Sequence, residues 1–162
     1  MFDAMYIRKH LQYNVFSDTV MGVEWIDGDE RSEEYAQCLL VFMIRSVFKG
    51  WSQIIGYHLT GSSFTKEKLK HLLDSYLSAL DTAGLRCRGI ICDQEPSNVS
   101  LFRKAGVSPE TPYYLCPSSG QRIFIIYDPP HLLKSTRNNL MTSDFLVSYK
   151  NRMNQCPAFL TF

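Results

Sequence analysis

The chain has 162 residues, enough for one ordinary domain with a buried core, and its 45% hydrophobic and 20% charged residues are typical of a soluble globular protein. Its formal net charge of +1 gives no overall basic field, so composition alone does not indicate a nucleic-acid partner. The five cysteines include no CxxC pair, which argues against a zinc finger and favours a reducing compartment. The longest apolar run, residues 38–44, is too short to span a bilayer. We expect a soluble, intracellular protein with no membrane partner.

The first part of the sequence predicts strands. Residues 1–7 suit a short strand that carries Asp3, although the same stretch also fits a helical stripe. Residues 20–26 alternate in polarity and end at an Asp-Gly turn signal, which indicates a strand or a hairpin arm. Residues 38–48 and 52–60 are rich in β-branched and aromatic side chains and are separated by a Gly-Trp pair. Together they predict an antiparallel hairpin.

Helices and strands alternate after this hairpin. Thr65 is a suitable N-cap for a helix with one leucine-rich face, and Gly84 is a suitable end. Residues 85–92 are almost continuously apolar, as in a central strand that is covered on both faces. Ser97 or Asn98 can then cap a short second helix.

The last part of the sequence predicts a loop, a strand and a helix. Residues 107–121 contain three of the seven prolines and predict a loop, and residues 123–127 predict a buried strand. Residues 131–141 predict a helix that opens next to prolines, and the tail from residue 142 is expected to be helical only in part. The whole order predicts a single α/β domain, with an antiparallel hairpin group followed by βα units in a mixed sheet that has helices on its faces.

Three acids lie at or near the ends of predicted strands: Asp3, Asp93 and Asp128. If the first strand is central and residues 85–92 pair parallel beside it, Asp3 and Asp93 approach each other at one edge of the sheet. Two carboxylates so close repel each other, and a divalent cation resolves the conflict. Oxygen-rich sites with little histidine select Mg²⁺ or Mn²⁺, and paired ions of this kind serve phosphoryl transfer. The pattern predicts a ribonuclease H-like arrangement, with Asp128 as a candidate third acid.

Each of these residues also has a structural interpretation, and the sequence leaves both open. Asp93 can cap a helix or form a turn, Asp3 can be a solvated acid near a chain terminus, and Asp128 can form the turn that precedes two prolines. His131 can be a buried structural histidine or face DNA. Glu95 is explained by the dipole at a helix start.

Four segments resemble the catalytic core of P-element-type DNA transposases, including their THAP-containing vertebrate relatives. These segments are FDAMYIRKHLQY, LVFMIRSVFKGWSQIIGYHL, IICDQEPSNVSLFRKAGV and IIYDPPHLLKSTRNNL. The resemblance extends over essentially the whole chain, and its most specific part is DPPHLLKSTRNNL. It implies a ribonuclease H-like domain that cuts and joins DNA through acids held on two metal ions.

The resemblance also assigns roles to particular residues. Asp3 matches the aspartate of the family's Asp-Glu-Met strand, and Asp93 matches the aspartate of its Cys-Asp-Gln segment. Both are therefore implied catalytic residues and ligands of Mg²⁺ or Mn²⁺. His131 and Lys134 lie at positions of the DPPH-containing helix, where the resemblance implies a supporting role.

The sequence departs from the family pattern in several respects. Ala4 stands where the family usually has Glu, and Glu95 stands where a small residue is common. In the family, the third acid is a Glu that follows an inserted GTP-binding domain. Residues 1–162 contain no match to this Glu, to the inserted domain or to the family's amino-terminal zinc-dependent DNA-binding module. We therefore expect a truncated transposase core that is inactive alone. In the intact protein, the resemblance implies transposon-end and target DNA as partners, oligomer formation and a nuclear location.

Two other functions compete with this one. A domesticated, non-catalytic DNA-binding or protein-interaction domain would keep the fold and lose the chemistry. A nucleotide-binding α/β domain is the other, but no GxxxxGK[ST] loop or GxGxxG turn follows any predicted strand.

Overall fold

The protein divides into two compact units, one formed by Met1–Tyr127 and a second that begins at Asp128. A computed structural model describes residues 1–25, 33–61 and 64–142. In these ranges the chain forms eight strands and three helices. None of the helices in these ranges is long and apolar enough to cross a membrane. The prediction of a single domain over residues 1–162 stays a prediction.

The first sheet is antiparallel and has the strand order β1-β4-β5. Its strands are β1 (Phe2–Tyr6), β4 (Cys38–Arg45) and β5 (Ser52–Thr60), so the predicted hairpin is confirmed and residues 1–7 contain a strand. Strand β4 ends at Arg45, earlier than the predicted residue 48. The register of β4 on β5 shifts between Phe42 and Met43, which marks a bulge in this pair.

A separate two-stranded hairpin joins β2 (Gln12–Asn14) to β3 (Thr19–Met21). The sequence predicted only one strand here, over residues 20–26, and beyond β3 the chain makes isolated bridges instead of a continuous strand. The turn of this hairpin contains a hydrogen bond from the backbone to a side chain and a residue with positive φ, and neither feature is visible in the hydrophobic periodicity of the sequence. Asn14 accepts a hydrogen bond from the backbone N–H of Phe16 at 3.0 Å, and Asp18 has a φ of 49° in the left-handed region.

Helix α1 (Lys66–Thr82) forms as predicted. Thr65 is its N-cap, and the Thr65 hydroxyl accepts a hydrogen bond from the backbone N–H of Lys68 at 3.3 Å. Gly84 follows the helix with a φ of 76°, a conformation that glycine adopts without strain. The buried side chains of α1 are leucines spaced three to four residues apart, which places them on one face: Leu69, Leu72, Leu73 and Leu77.

The second sheet has the order β6-β8-β7. Strand β6 (Gly89–Cys92) pairs parallel with β8 (Arg122–Tyr127), and β7 (Tyr113–Leu115) pairs antiparallel with β8. Two predictions are corrected here. Strand β6 starts at Gly89 instead of residue 85, and residues 107–121 are not all loop, because the short apolar stretch Tyr-Tyr-Leu between two prolines forms β7.

The approach of Asp3 and Asp93 was expected on the condition that residues 85–92 pair parallel beside the first strand, and the described residues do not form this pair. Strand β6 forms its hydrogen-bonded ladder with β8, and β1 forms its ladder with β4. Strands β1 and β6 nevertheless lie next to each other. The two sheets are therefore neighbours that are held together by packing, since no ladder joins them in the described residues.

The remaining helices start earlier than the sequence indicated. Helix α2 (Pro96–Lys104) has Glu95 as its N-cap, so the predicted caps Ser97 and Asn98 are wrong. Pro96 explains the shift, because proline is favoured in the first turn, where its missing N–H costs nothing. Helix α3 (Pro129–Thr142) belongs to the second unit and contains the predicted helix 131–141. The prediction for the tail beyond residue 142 lies outside the described residues.

One hydrophobic core serves both sheets of the first unit. Its buried side chains come from strands of each sheet, from helices α1 and α2 and from the residue after β7: Phe2, Leu40, Phe42, Leu69, Leu72, Leu73, Leu77, Ile90, Cys92, Leu101, Phe102, Tyr114, Cys116 and Ile123. Removal of this much apolar surface from water is the dominant stabilising contribution in a domain of this size.

Two polar contacts also attach α1 to the second sheet. The Tyr114 hydroxyl of β7 donates a hydrogen bond to Asp74 at 2.5 Å, and the same carboxylate binds Lys70. Ser118, in the turn between β7 and β8, donates to Asp81 at 2.9 Å. The β7–β8 arm is therefore fixed to the helix by side chains as well as by the core.

Tyr76 of helix α1 packs against strand β5 at Gly56. A Cβ atom at Gly56 would lie 1.7 Å from the Tyr76 hydroxyl oxygen, which is much closer than any real contact. The Tyr76 ring cannot easily move away, because its centroid is 4.4 Å from that of Phe42 and its hydroxyl lies 2.8 Å from Nε2 of His58.

We predict that Gly56→Ala lowers the free energy of unfolding by about 1–3 kcal/mol, the usual cost of overpacking. Urea denaturation would measure this change. The penalty should be smaller in a Tyr76→Phe background, where the clashing oxygen is absent. Gly50→Ala is the matched control, because no atom lies within 4 Å of its added Cβ. Equal losses at Gly56 and Gly50 would contradict the packing explanation.

Candidate metal centre

Asp93 directly follows strand β6 and is held by two donors from the start of α2. Its Oδ1 atom accepts hydrogen bonds from the backbone N–H of Glu95 at 3.2 Å and from Nδ2 of Asn98 at 2.6 Å. Asn98 is only 5% exposed, so this contact is shielded from water. Asp93 thus has the turn-forming role that the sequence left open, in addition to any role in metal binding.

Asp3 is the second residue of β1 and lies opposite Val41 of β4. Its neighbour Phe2 is buried in the core, and successive side chains of a strand alternate between faces, so Asp3 lies on the outward face of the sheet. The carboxylate is exposed, and its Oδ1 atom accepts a hydrogen bond from the backbone N–H of Ala4 at 2.9 Å.

Asp3 and Asp93 act electrostatically on the same two groups. Burial raises the pKa of the Cys92 thiol to about 12, and the charges of Asp93 and Asp3 contribute to that rise. Burial also raises the pKa of the Glu95 carboxyl, again with contributions from Asp93 and then Asp3. Because Coulomb interactions weaken with distance, these four side chains belong to one neighbourhood. A common role of the two aspartates as metal ligands stays a prediction.

The chemistry of this neighbourhood favours a hard cation. With a pKa of about 12, Cys92 keeps its proton at neutral pH, and a neutral thiol is a poor metal ligand. The carboxylates are oxygen donors, which suit Mg²⁺ or Mn²⁺, and Mg²⁺ is commonly held by one or two carboxylates together with substrate phosphates. In residues 1–25, 33–61 and 64–142, no group of three or more His, Cys, Asp or Glu side chains could hold a metal ion. A role of Asp3 and Asp93 in a site that uses two protein carboxylates stays a prediction.

The sequence did not predict that the charges of Asp93 and Asp3 contribute to the raised pKa of Glu95. The helix dipole was a sufficient reason for an acid at the start of a helix. Residues two apart on a loop also rarely point in the same direction, so Glu95 was not expected to interact with Asp93. In the structure Glu95 is the N-cap residue of α2, and its carboxyl senses both Asp93 and Asp3. The sequence did contain a signal for this interaction. Glu95 is an acid two residues after the candidate ligand Asp93, in a segment that turns into helix α2.

A groove lies beside this neighbourhood, between strand β1 and the first turns of α1 and α2. Its volume is about 360 Å³, and its lining includes Tyr6, Lys66, Glu95 and Asn98. Asn98 lines the groove and also binds Asp93, so the groove adjoins the carboxylate.

The other candidate residues lie in the second unit, at the start of α3. Nδ1 of His131 is 2.6 Å from a carboxylate oxygen of Asp128, and the carbonyl of Asp128 accepts a hydrogen bond from the backbone N–H of Leu132 at 3.1 Å. Asp128 therefore has the local role expected of a residue that starts a helix. Lys134 is an exposed residue of the same helix. Neither the third-acid role of Asp128 nor the supporting roles of His131 and Lys134 is tested by this geometry.

Comparison with known proteins decides the family. Residues 1–106 match the family model described as the TNP-like, RNase H N-terminal domain. The chain belongs to this family. The Transposable element P transposase of Drosophila melanogaster is 24% identical to the chain over 150 residues. That alignment includes 92% of this chain and 18% of the relative.

A solved structure agrees with this family assignment. The Drosophila P element transposase strand transfer complex matches with a TM-score of 0.67 and 23% sequence identity, over 86% of this chain and 28% of that chain. The resemblance to P-element-type transposases is thus confirmed, and so is a mixed α/β fold. The chain spans less than a fifth of the length of this relative.

The raised pKa of Glu95 gives a pH-dependent prediction. A carboxyl whose pKa is higher in the folded state than its ordinary value of 4.5 binds its proton more tightly when folded. The resulting stabilisation is fully present below pH 4.5 and is lost as the pH rises through the folded-state pKa. Glu95→Gln should therefore be more stable than the parent chain at pH 7, and the difference should shrink at pH 4, as measured by urea denaturation at both values.

Glu110→Gln is the control for this experiment. The hydrogen bond from Ser108 lowers the pKa of Glu110, so this substitution should change stability at pH 7 in the opposite direction. A gain for Glu95→Gln that is the same at pH 4 and pH 7 would show that the charge of Glu95 is not its cause.

The contact between Asn98 and Asp93 gives a second prediction. We expect Asn98→Ala to lower the free energy of unfolding by about 1.5–3 kcal/mol, because a buried hydrogen bond to a charged group is lost. Chemical denaturation would measure the loss. Ser100→Ala on the same helix should change stability by less than about 0.5 kcal/mol. If the two substitutions cost the same, the contact does not stabilise the turn after β6.

Proposed function

We propose that this chain is part of a transposase core in which Asp3 and Asp93 bind a divalent metal ion for DNA strand cleavage and strand transfer. One observation carries the proposal: strand β1, which carries Asp3, lies next to strand β6, which Asp93 directly follows. Membership in a family whose model is named for an RNase H domain supports the same chemistry.

The order of the elements supports a ribonuclease H-like fold within this proposal. An antiparallel group, β1-β4-β5, comes first, and α1, β6, α2 and β8 then follow as βα units. The neighbouring position of β1 and β6 is what such a fold requires of the strands that carry its first two acids.

The residues of this chain would orient the two carboxylates and supply the negative charge that binds the metal ion. Asn98 and the backbone N–H of Glu95 fix the Oδ1 atom of Asp93, which limits the rotation of that carboxylate. Asp3 is held by its own strand and is open to solvent. Mg²⁺ or Mn²⁺ bound by these two residues would lower the pKa of the nucleophile, which is water or a 3′ hydroxyl of DNA, and would balance charge on the phosphate.

DNA is the partner that this chemistry requires, and a nuclear location belongs to the same proposal. The related Drosophila protein is described as part of a strand transfer complex. The charge of +1 gives this chain no general affinity for polyanions, so we expect DNA contacts to be local to the acids and the adjoining groove.

A non-catalytic scaffold is the second candidate, and the hydrogen bonds of Asp93 favour it. The turn after β6 already explains why an aspartate is needed there, because its Oδ1 atom satisfies two donors. A domesticated DNA-binding or protein-interaction domain would keep this turn without needing a metal ion.

Binding of Mn²⁺ to the purified chain separates the two candidates. We expect weak binding, detected by electron paramagnetic resonance, which falls at least about tenfold in Asp3→Asn and in Asp93→Asn because each removes one charged ligand. Asp18→Asn is the control, since Asp18 lies in the β2–β3 hairpin and asparagine tolerates its positive φ.

Each outcome favours one function. Loss of binding in both ligand variants, with Asp18→Asn unchanged, supports the metal site. No Mn²⁺ binding by the parent chain, or equal binding by all variants, rejects the metal site and leaves the scaffold. In that case Asp93→Asn should also retain full stability, because an asparagine oxygen can still accept the hydrogen bonds of the turn.

A further inference from the structure

The two oxygen atoms of the Asp93 carboxylate have different surroundings. Oδ1 accepts one hydrogen bond from the backbone N–H of Glu95 at 3.2 Å and another from Nδ2 of Asn98 at 2.6 Å. Each oxygen of an ionised carboxylate has two lone pairs, so these two donors occupy both lone pairs of Oδ1. Asp93 would therefore offer only its Oδ2 atom to a metal ion.

The Asn98 amide is well placed to keep Oδ1 occupied. Asn98 is only 5% exposed, so water competes little for its contact with the carboxylate. Its Nδ2 atom also donates a longer hydrogen bond, at 3.5 Å, to the backbone carbonyl of Asp93. One buried amide thus contacts both the side chain and the backbone of the aspartate.

The carboxylate of Asp3 shows the same asymmetry. Its Oδ1 atom accepts a hydrogen bond from the backbone N–H of Ala4 at 2.9 Å. Within the described residues, every hydrogen bond to the carboxylates of Asp3 and Asp93 is made to Oδ1. Both aspartates are therefore arranged to bind a cation through a single oxygen.

The number of oxygens that a carboxylate offers discriminates between divalent cations. Ca²⁺ takes about six to eight oxygen ligands in a flexible geometry and accepts both oxygens of one carboxylate. Mg²⁺ is smaller and requires a nearly ideal octahedron, whose right angles do not match the narrow angle between the two oxygens of one carboxylate. A carboxylate that is restricted to one oxygen thus disfavours Ca²⁺ more than it disfavours Mg²⁺ or Mn²⁺.

We propose that Asn98 is a positioning residue that restricts Asp93 to one metal-binding oxygen and thereby makes the site select Mg²⁺ or Mn²⁺ over Ca²⁺. The inference rests on the proposed function, since it takes Asp93 to be a metal ligand. It also differs from a purely structural role of Asn98. Loss of a structural contact would weaken the binding of all divalent cations alike, whereas release of Oδ1 affects Ca²⁺ and Mn²⁺ differently.

Competition between Mn²⁺ and Ca²⁺ for the full chain, followed by electron paramagnetic resonance of Mn²⁺, tests the inference. Asn98→Ala should weaken Mn²⁺ binding by about tenfold, the usual effect of losing a residue that orients a metal ligand. It should weaken Ca²⁺ binding less, because the released Oδ1 becomes available as a further ligand. The ratio of Ca²⁺ to Mn²⁺ affinity should therefore rise at least about threefold. Ser100→Ala on the same helix is the control and should leave the ratio unchanged.

A second variant removes the other donor to Oδ1. Glu95→Pro lacks the backbone N–H, and the φ of −57° at this position is compatible with proline. Because this substitution also removes the Glu95 carboxyl, Glu95→Ala is its matched control. The ratio of Ca²⁺ to Mn²⁺ affinity should be higher in Glu95→Pro than in Glu95→Ala. Circular dichroism checks the folding of each variant, and this second pair decides the result if Asn98→Ala does not fold.

The outcomes separate this inference from the proposed function. A higher ratio in Asn98→Ala, with Ser100→Ala unchanged, supports the positioning role. If Asn98→Ala lowers the affinities for Mn²⁺ and Ca²⁺ by the same factor, Asn98 does not set selectivity and the inference is overturned, while the metal site is unaffected. Equal ratios in Glu95→Pro and Glu95→Ala would show that release of Oδ1 does not favour Ca²⁺, which also overturns it. If the parent chain binds no Mn²⁺, or if Asp93→Asn binds it equally well, the proposed metal site and this inference are both rejected.

Discussion

The shared hydrophobic core is the constraint on which the rest of this structure depends. Strands β1 and β6 lie in separate hydrogen-bonded sheets, so no backbone ladder fixes the distance between them in the described residues. The leucine face of α1 packs in the same core as Phe2 of β1 and Ile90 of β6. The neighbourhood of Asp3 and Asp93 is therefore a product of side-chain packing, and substitutions in the core would alter the site without touching either acid.

The carboxylate of Asp93 interacts with several side chains in and around the turn after β6. Burial and then the charge of Asp93 raise the pKa of Cys92 and of Glu95. The buried amide of Asn98 stabilises the carboxylate and fixes its orientation. The same amide lines the groove, so one residue connects the geometry of the acid to the shape of the neighbouring cavity.

Local pattern and resemblance predicted the elements well and their partners less well. The N-cap Thr65 and the leucine spacing of α1 were sufficient to locate that helix, because helix signals are local. The pairing of β6 with β8 could not be derived, because the apolar run of residues 85–92 suits any central strand equally and carries no information about which neighbour it takes. Strand β7 and the β2–β3 hairpin were missed because three-residue strands have too little periodicity to detect. Asp3 and Asp93 were singled out by their positions at strand ends and by the resemblance, whereas the contact of Asn98 with Asp93 is visible only in the folded structure.

The contacts of α1 with the β7–β8 arm have a consequence for how the first unit opens. Strand β7 has only three residues and lies at the edge of its sheet, where a strand of that length has little stability of its own. Because Tyr114 and Ser118 bind Asp74 and Asp81 of the long helix, the arm gains protection from a distant part of the sequence. Backbone amides of β7 that pair with β8 are therefore expected to exchange with solvent more slowly than those of an edge strand that has no such side-chain support.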